Sequence, residues 1–111
     1  MYYISKSFDI SAAHAVQTRE KGGCEELHGH NWKVTVHCKA AGLDENGMVV
    51  DFRLIKERIK KALDHKNLNE VLPFNPTAEN LACWICGQIP RCYKVEVAET
   101  GSNRAVYEAD D

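Results

Sequence analysis

The sequence is poor in long apolar runs: no stretch of its 111 residues approaches the roughly 18 consecutive apolar residues a membrane helix needs. Its first residues, Met1-Tyr2-Tyr3-Ile4-Ser5-Lys6, lack the basic-then-apolar plan of a signal peptide, which predicts a cytoplasmic protein with no membrane partner. Charge of one sign is also scarce. A formal net charge of -2 excludes a global attraction for nucleic acid, and Lys33, Lys39, Lys56, Lys60 and Lys61 read as solvated faces. Five cysteines are an odd number without a spaced framework, so the sequence predicts reduced thiols rather than a disulfide scaffold. Repeats, low-complexity tracts and linkers are missing too. With 44% apolar and 27% charged residues, the chain has the composition of one folded domain over residues 1–111.

What is present is alternation. Tyr2, Ile4, Lys6, Phe8, Ile10, Ala12 and His14 share one parity, which predicts a long strand ending on a histidine. Residues 15–27 hold Gly22-Gly23 and no periodic face, so they read as a mobile loop. Alternation resumes from His28 to Ala40 with Trp32, Val34, Val36 and Cys38 on one side, a second strand antiparallel to the first. Asn46-Gly47 predicts a turn into Met48-Val49-Val50, a run able to extend the sheet. Asp51 is placed to cap a helix whose apolar stripe is Phe52, Ile55, Ile59 and Leu63. After Pro73 and Pro76, Thr77 caps a second helix carrying Leu81, Trp84, Ile85 and Ile89. Tyr93, Val95, Val97 and Glu99 then alternate, and Ala105-Val106-Tyr107 returns after a turn at Gly101-Ser102-Asn103. The order predicts an α+β domain, two helices covering one face of an antiparallel sheet.

The chemistry concentrates at three places. In His28-Gly29-His30 the imidazoles stand two apart in a strand and share a face, and an antiparallel hairpin brings His14 beside them. Three nitrogen ligands without an obvious fourth describe a catalytic zinc with an open position. Cys24 precedes His28 in the loop, where a neighbouring metal favours thiolate, a candidate base. Asp64-His65 ends the first helix and reads either as a proton relay or as compensation of the helix dipole. Glu99 falls on the buried parity, where a carboxylate needs either a heterocycle offering N–H groups or an arginine. Cys83-Trp84-Ile85-Cys86 has CxxC spacing but lies in an apolar helix, and reads with Cys38 and Cys92 as packing.

Taken in order, Phe8 to His14, Cys24-Glu25-Glu26-Leu27-His28-Gly29-His30-Asn31-Trp32, Leu63-Asp64-His65-Lys66-Asn67-Leu68-Asn69, Pro76-Thr77-Ala78-Glu79-Asn80-Leu81-Ala82 and Glu99-Thr100 resemble the 6-pyruvoyl-tetrahydropterin synthase family. The resemblance implies a tunnelling fold, with sheets of several subunits closing into a β-barrel and a homo-hexamer of two trimers with interfacial active sites. It implies zinc on His14, His28 and His30, Cys24 as base, Asp64 and His65 as proton relay, and Glu99 with Thr77 binding the pterin. The short gap from Cys24 to His28 resembles the 6-carboxytetrahydropterin synthases of queuosine biosynthesis, which act on 7,8-dihydroneopterin triphosphate. Glu25 resembles the base of a folate-linked branch forming 6-hydroxymethyl-dihydropterin, and the pyruvoyl product is a further alternative. A reading of another class is a structural zinc module for protein interaction, closed by His14, His28, His30 and Cys24.

Overall fold

A computed structural model describes residues 1–18 and 26–110. The element order is β1 (Tyr2–His14), β2 (His28–Ala40), α1 (Phe52–Leu63), β3 (Lys66–Asn67), α2 (Leu68–Val71), α3 (Ala78–Gln88), β4 (Cys92–Ala98) and β5 (Arg104–Glu108). The sheet runs β3-β1-β2-β4-β5. Four strands are antiparallel neighbours as expected, and the two-residue β3 adds a parallel pairing to β1 that periodicity is too short to announce.

Alternation in β1 and β2 sets which face the helices cover. Phe8, Ile10, Ala12 and His14 of β1 are buried, as are Trp32, Val34, Val36 and Cys38 of β2. Onto this face pack Ile55, Ile59 and Leu63 of α1 and Leu81, Ala82, Ile85 and Cys86 of α3. Each fully buried Ile or Leu contributes roughly 1.5–3 kcal/mol by leaving water. α1 lies against β1 and α3 against β4 and β5. The opposite face is polar, with Ser7 bonded to Thr35 at 2.9 Å and His37 to Glu96 at 2.7 Å.

The caps follow the sequence. The Asp51 side chain accepts from the Arg53 backbone N–H at 2.8 Å, and Thr77 Oγ1 accepts from that of Asn80 at 3.1 Å. Gly47 takes φ 77° in the expected turn, a conformation costly for side chains with a Cβ.

Four expectations are corrected. Met48-Val49-Val50 forms no strand: Val49 and Val50 are buried by tucking under the core, and Asp44 holds the turn by accepting from Asn46 and Met48. Phe52 leaves the apolar stripe and is 47% exposed. Tyr93 leaves the parity of Val95 and Val97, since a register shift between His37 and Cys38 inserts one residue opposite β2. Its ring packs instead on Tyr3, with the Lys39 ammonium 4.9 Å from its centroid. Finally, Cys83 is exposed rather than packed, while Cys86 is buried.

Candidate metal centre

The hairpin register pairs His14 directly with His28, and Ala12 with His30. Two strand ends thus present three imidazoles on the core face, with ring centroids 4.7 Å (His14–His28), 5.1 Å (His14–His30) and 4.6 Å (His28–His30) apart. Trp32 forms the floor, its ring 4.7 Å from that of His14 and its indole N–H donating to the Ala12 carbonyl at 3.1 Å. The wall is therefore apolar and fixed.

Each outer hydrogen bond aims a ring. His14 Nδ1 lies 2.7 Å from the Pro76 carbonyl, and His28 Nδ1 lies 2.8 Å from the Glu26 carbonyl. A carbonyl only accepts, so in both rings Nδ1 carries the proton and Nε2 keeps its lone pair for the cluster. His14 is buried and its Nε2 has no hydrogen-bond partner. A lone pair withheld from water without a donor is costly, and a cation relieves it.

Glu99 completes the group from just beyond β4, whose last residue is Ala98. Its Oε1 lies 3.3 Å from His30 Nε2 and its Oε2 3.7 Å from His14 Nε2. One ligand atom each from His14, His28, His30 and Glu99 lies within 4.8 Å of the others, which fits a divalent metal favouring nitrogen and oxygen. The sequence assigned Glu99 to the buried side correctly. It missed the carboxylate's approach to the imidazoles, which depends on the turn where Glu99 N–H donates to the Asn103 carbonyl at 2.9 Å.

Asp64 and His65 stand apart from this group, on the β3 side of β1. Asp64 Oδ1 accepts from the Ser11 N–H at 2.8 Å, and the His65 N–H donates to the Ser11 carbonyl at 2.6 Å. The Ser11 hydrogen bond is the main reason the Asp64 carboxyl is held below its ordinary pKa, with the neighbouring His65 and Lys60 assisting. His65 takes φ 59°, rare for a residue with a Cβ, so its exposed ring projects outward 3.5 Å from Asp64 Oδ2. An open groove is lined by Ser11, His30, Asn31 and His65. Thr77 and Glu99 share a different groove, which also contains Arg104. Cys24 and Glu25 lie outside the described residues, as does Gly22-Gly23.

Comparison with known proteins shows the family and the fold. The family model "6-pyruvoyl tetrahydropterin synthase" matches residues 3–110. The chain is 29% identical to the 6-carboxy-5,6,7,8-tetrahydropterin synthase of Bacillus subtilis, over 96% of this chain and 84% of that one. It is 44% identical to the dihydroneopterin monophosphate aldolase of Pyrococcus furiosus, over 75% and 68% of the two chains. The fold is that of the Caenorhabditis elegans 6-pyruvoyl tetrahydropterin synthase structure, with a TM-score of 0.76 at 24% identity over 98% of this chain and 96% of that one.

Proposed function

The chain belongs to the 6-pyruvoyl tetrahydropterin synthase family, and on that premise we propose that it is a zinc-dependent 6-carboxytetrahydropterin synthase. Its substrate is 7,8-dihydroneopterin triphosphate, converted to 6-carboxytetrahydropterin with release of acetaldehyde and triphosphate, a step of queuosine biosynthesis. The observation that carries this reading is the convergence of His14, His28, His30 and Glu99 around the orphaned Nε2 of His14.

His14, His28 and His30 would hold the zinc. When bound, zinc supplies Lewis acidity toward the hydroxyls of the substrate side chain, making the adjacent C–H protons acidic. Cys24 takes such a proton as thiolate, and Asp64 with His65 relays the protons that follow. The depressed carboxyl of Asp64 keeps it ionised, suited to orienting and stabilising a protonated imidazole at His65. Glu99 and Thr77 seat the pterin, the carboxylate accepting from ring N–H groups. The sites lie at interfaces of a hexamer of two trimers, whose sheets close the open edges at β3 and β5. Among the described residues no helix is long and apolar enough to cross a membrane, and the enzyme is cytoplasmic in this reading.

One observation favours a second reading. The 44% identity to a dihydroneopterin monophosphate aldolase points to cleavage of a monophosphate substrate to 6-hydroxymethyl-dihydropterin, with Glu25 as base. Incubation of zinc-loaded protein with the triphosphate and the monophosphate, followed by chromatography and mass spectrometry, separates the two. Carboxytetrahydropterin with acetaldehyde supports the first reading, and hydroxymethyl-dihydropterin supports the second. Both substrates returning unchanged from a metal-replete hexamer would reject both and leave the structural zinc module.

A further inference from the structure

Cysteine side chains that the histidine site does not use gather toward the opposite end of β2. Cys38 lies directly opposite Cys92, the first residue of β4, in the antiparallel register. Opposed residues in such a pair hold their Cβ atoms about 4.5–5.5 Å apart, near the roughly 3.5–4.5 Å that a disulfide spans. The bulge beside them, between His37 and Cys38, leaves this step of the ladder freer to adjust than its regular part. Cys38 is fully buried and Cys92 half-buried. The Cys92 thiol donates to the Lys94 carbonyl at 3.6 Å, and Cys86 of α3 lies in the same buried cluster.

The remaining features narrow what this cluster does. Among the described residues, the group placed to hold a metal ion is the His/Glu cluster and not the thiols. Cys83 is exposed and stands outside the buried cluster. Pairwise chemistry is what the placement offers.

We propose that Cys38 and Cys92 form a redox-active pair that closes into a cross-strand disulfide when hydrogen peroxide is the oxidant. Peroxide first oxidises the more accessible Cys92 thiol to a sulfenic acid, releasing water. The Cys38 sulfur then attacks the Cys92 sulfur, the S–O bond breaks, and the departing hydroxide takes the Cys38 proton as a second water. The two thiols together lose two electrons and two protons, and one peroxide becomes two waters. The neighbouring Cys92 thiol holds Cys38 below the ordinary thiol value, while Cys38 and burial push Cys92 above it. The thiolate is the reactive form, so oxidation accelerates as pH rises. The bond staples β2 to β4 across a loop that contains every helix, and so restricts the unfolded chain.

The test uses the full-length protein, treated with hydrogen peroxide, alkylated in denaturant and digested without reductant. Mass spectrometry should find the Cys38 peptide joined to the Cys92 peptide, faster at pH 9 than at pH 7. The melting temperature should rise by about 5 °C or more and return on reduction. Cys92→Ala should abolish the crosslink and the rise, while Cys83→Ala should keep both. Recovery of Cys38 and Cys92 fully alkylated, or of a crosslink joining either to Cys24, Cys83 or Cys86 instead, would overturn the proposal. The peptide map of the unsubstituted protein decides the matter even if Cys92→Ala does not fold.

Discussion

The two ends of β2 place different chemistry on the same core face. At its start, His28 and His30 meet His14 and Glu99; at its end, Cys38 meets Cys92, with Cys86 joining from α3. Imidazole nitrogens are strong hydrogen-bonding groups, so burying the His14 Nε2 without a donor carries a penalty that a bound cation would remove. Thiols are small and weakly polar, and they pack into an apolar core at little cost. The histidine end is therefore energetically incomplete by itself, whereas the thiol end is complete and its chemistry stays latent. A cluster of side chains points to a ligand when its polar atoms are left unsatisfied, not merely when they are close.

The largest contrast should come from paired substitutions at the two ends. His28→Ala should lose bound metal by elemental analysis and lower turnover by about 100-fold or more. Cys38→Ala should leave metal content unchanged and cost about 1–2 kcal/mol in urea unfolding, the cost of a small buried deletion. Equal metal loss in both would erase the distinction. Trp32 floors the histidine end, and Trp32→Ala should cost about 3–5 kcal/mol in the same assay.

Glu99→Gln sharpens the comparison further. If the carboxylate completes the metal group, zinc affinity in a competitive chelator titration should fall by about 10-fold or more. If it serves the pterin alone, affinity should hold while KM rises.

Smaller effects belong to the scaffold. Asp64 has a depressed carboxyl, so its stabilising contribution is present above the ordinary carboxylate pKa and is lost as pH falls through the folded value. Asp64→Asn should cost about 1–2 kcal/mol at pH 7, with the difference from the parent protein shrinking in acid. An unfolding series from pH 7 to pH 2 measures it, and a pH-independent difference would assign the cost to packing. Thr77→Ala, losing the cap of α3, should cost about 1 kcal/mol by thermal melting.

Much of this was legible along the chain. Period-2 alternation located β1 and β2 to their terminal residues and put His14, His28 and His30 on the buried side, because parity in a strand is a local property. The Asp51 and Thr77 caps were equally local, each requiring only a side-chain acceptor just ahead of a helical repeat. Phe52 and Met48-Val49-Val50 misled for the opposite reason. An apolar residue fits a periodic stripe or a strand equally well on paper, and only neighbouring elements decide whether it is covered.

By itself, then, the sequence determined which faces are apolar, where α1 and α3 start, and which residues are candidates for metal-binding and nucleophilic chemistry. Tertiary structure alone decided that Glu99 closes on the histidines, that β3 joins β1, that Tyr93 crosses to the open face, and that Cys38 meets Cys92. These last features rest on strand register, on one bulge and on a turn that returns β5 to β4. Each is settled by pairing between segments far apart in the chain, and periodicity within one segment holds no information about its partner.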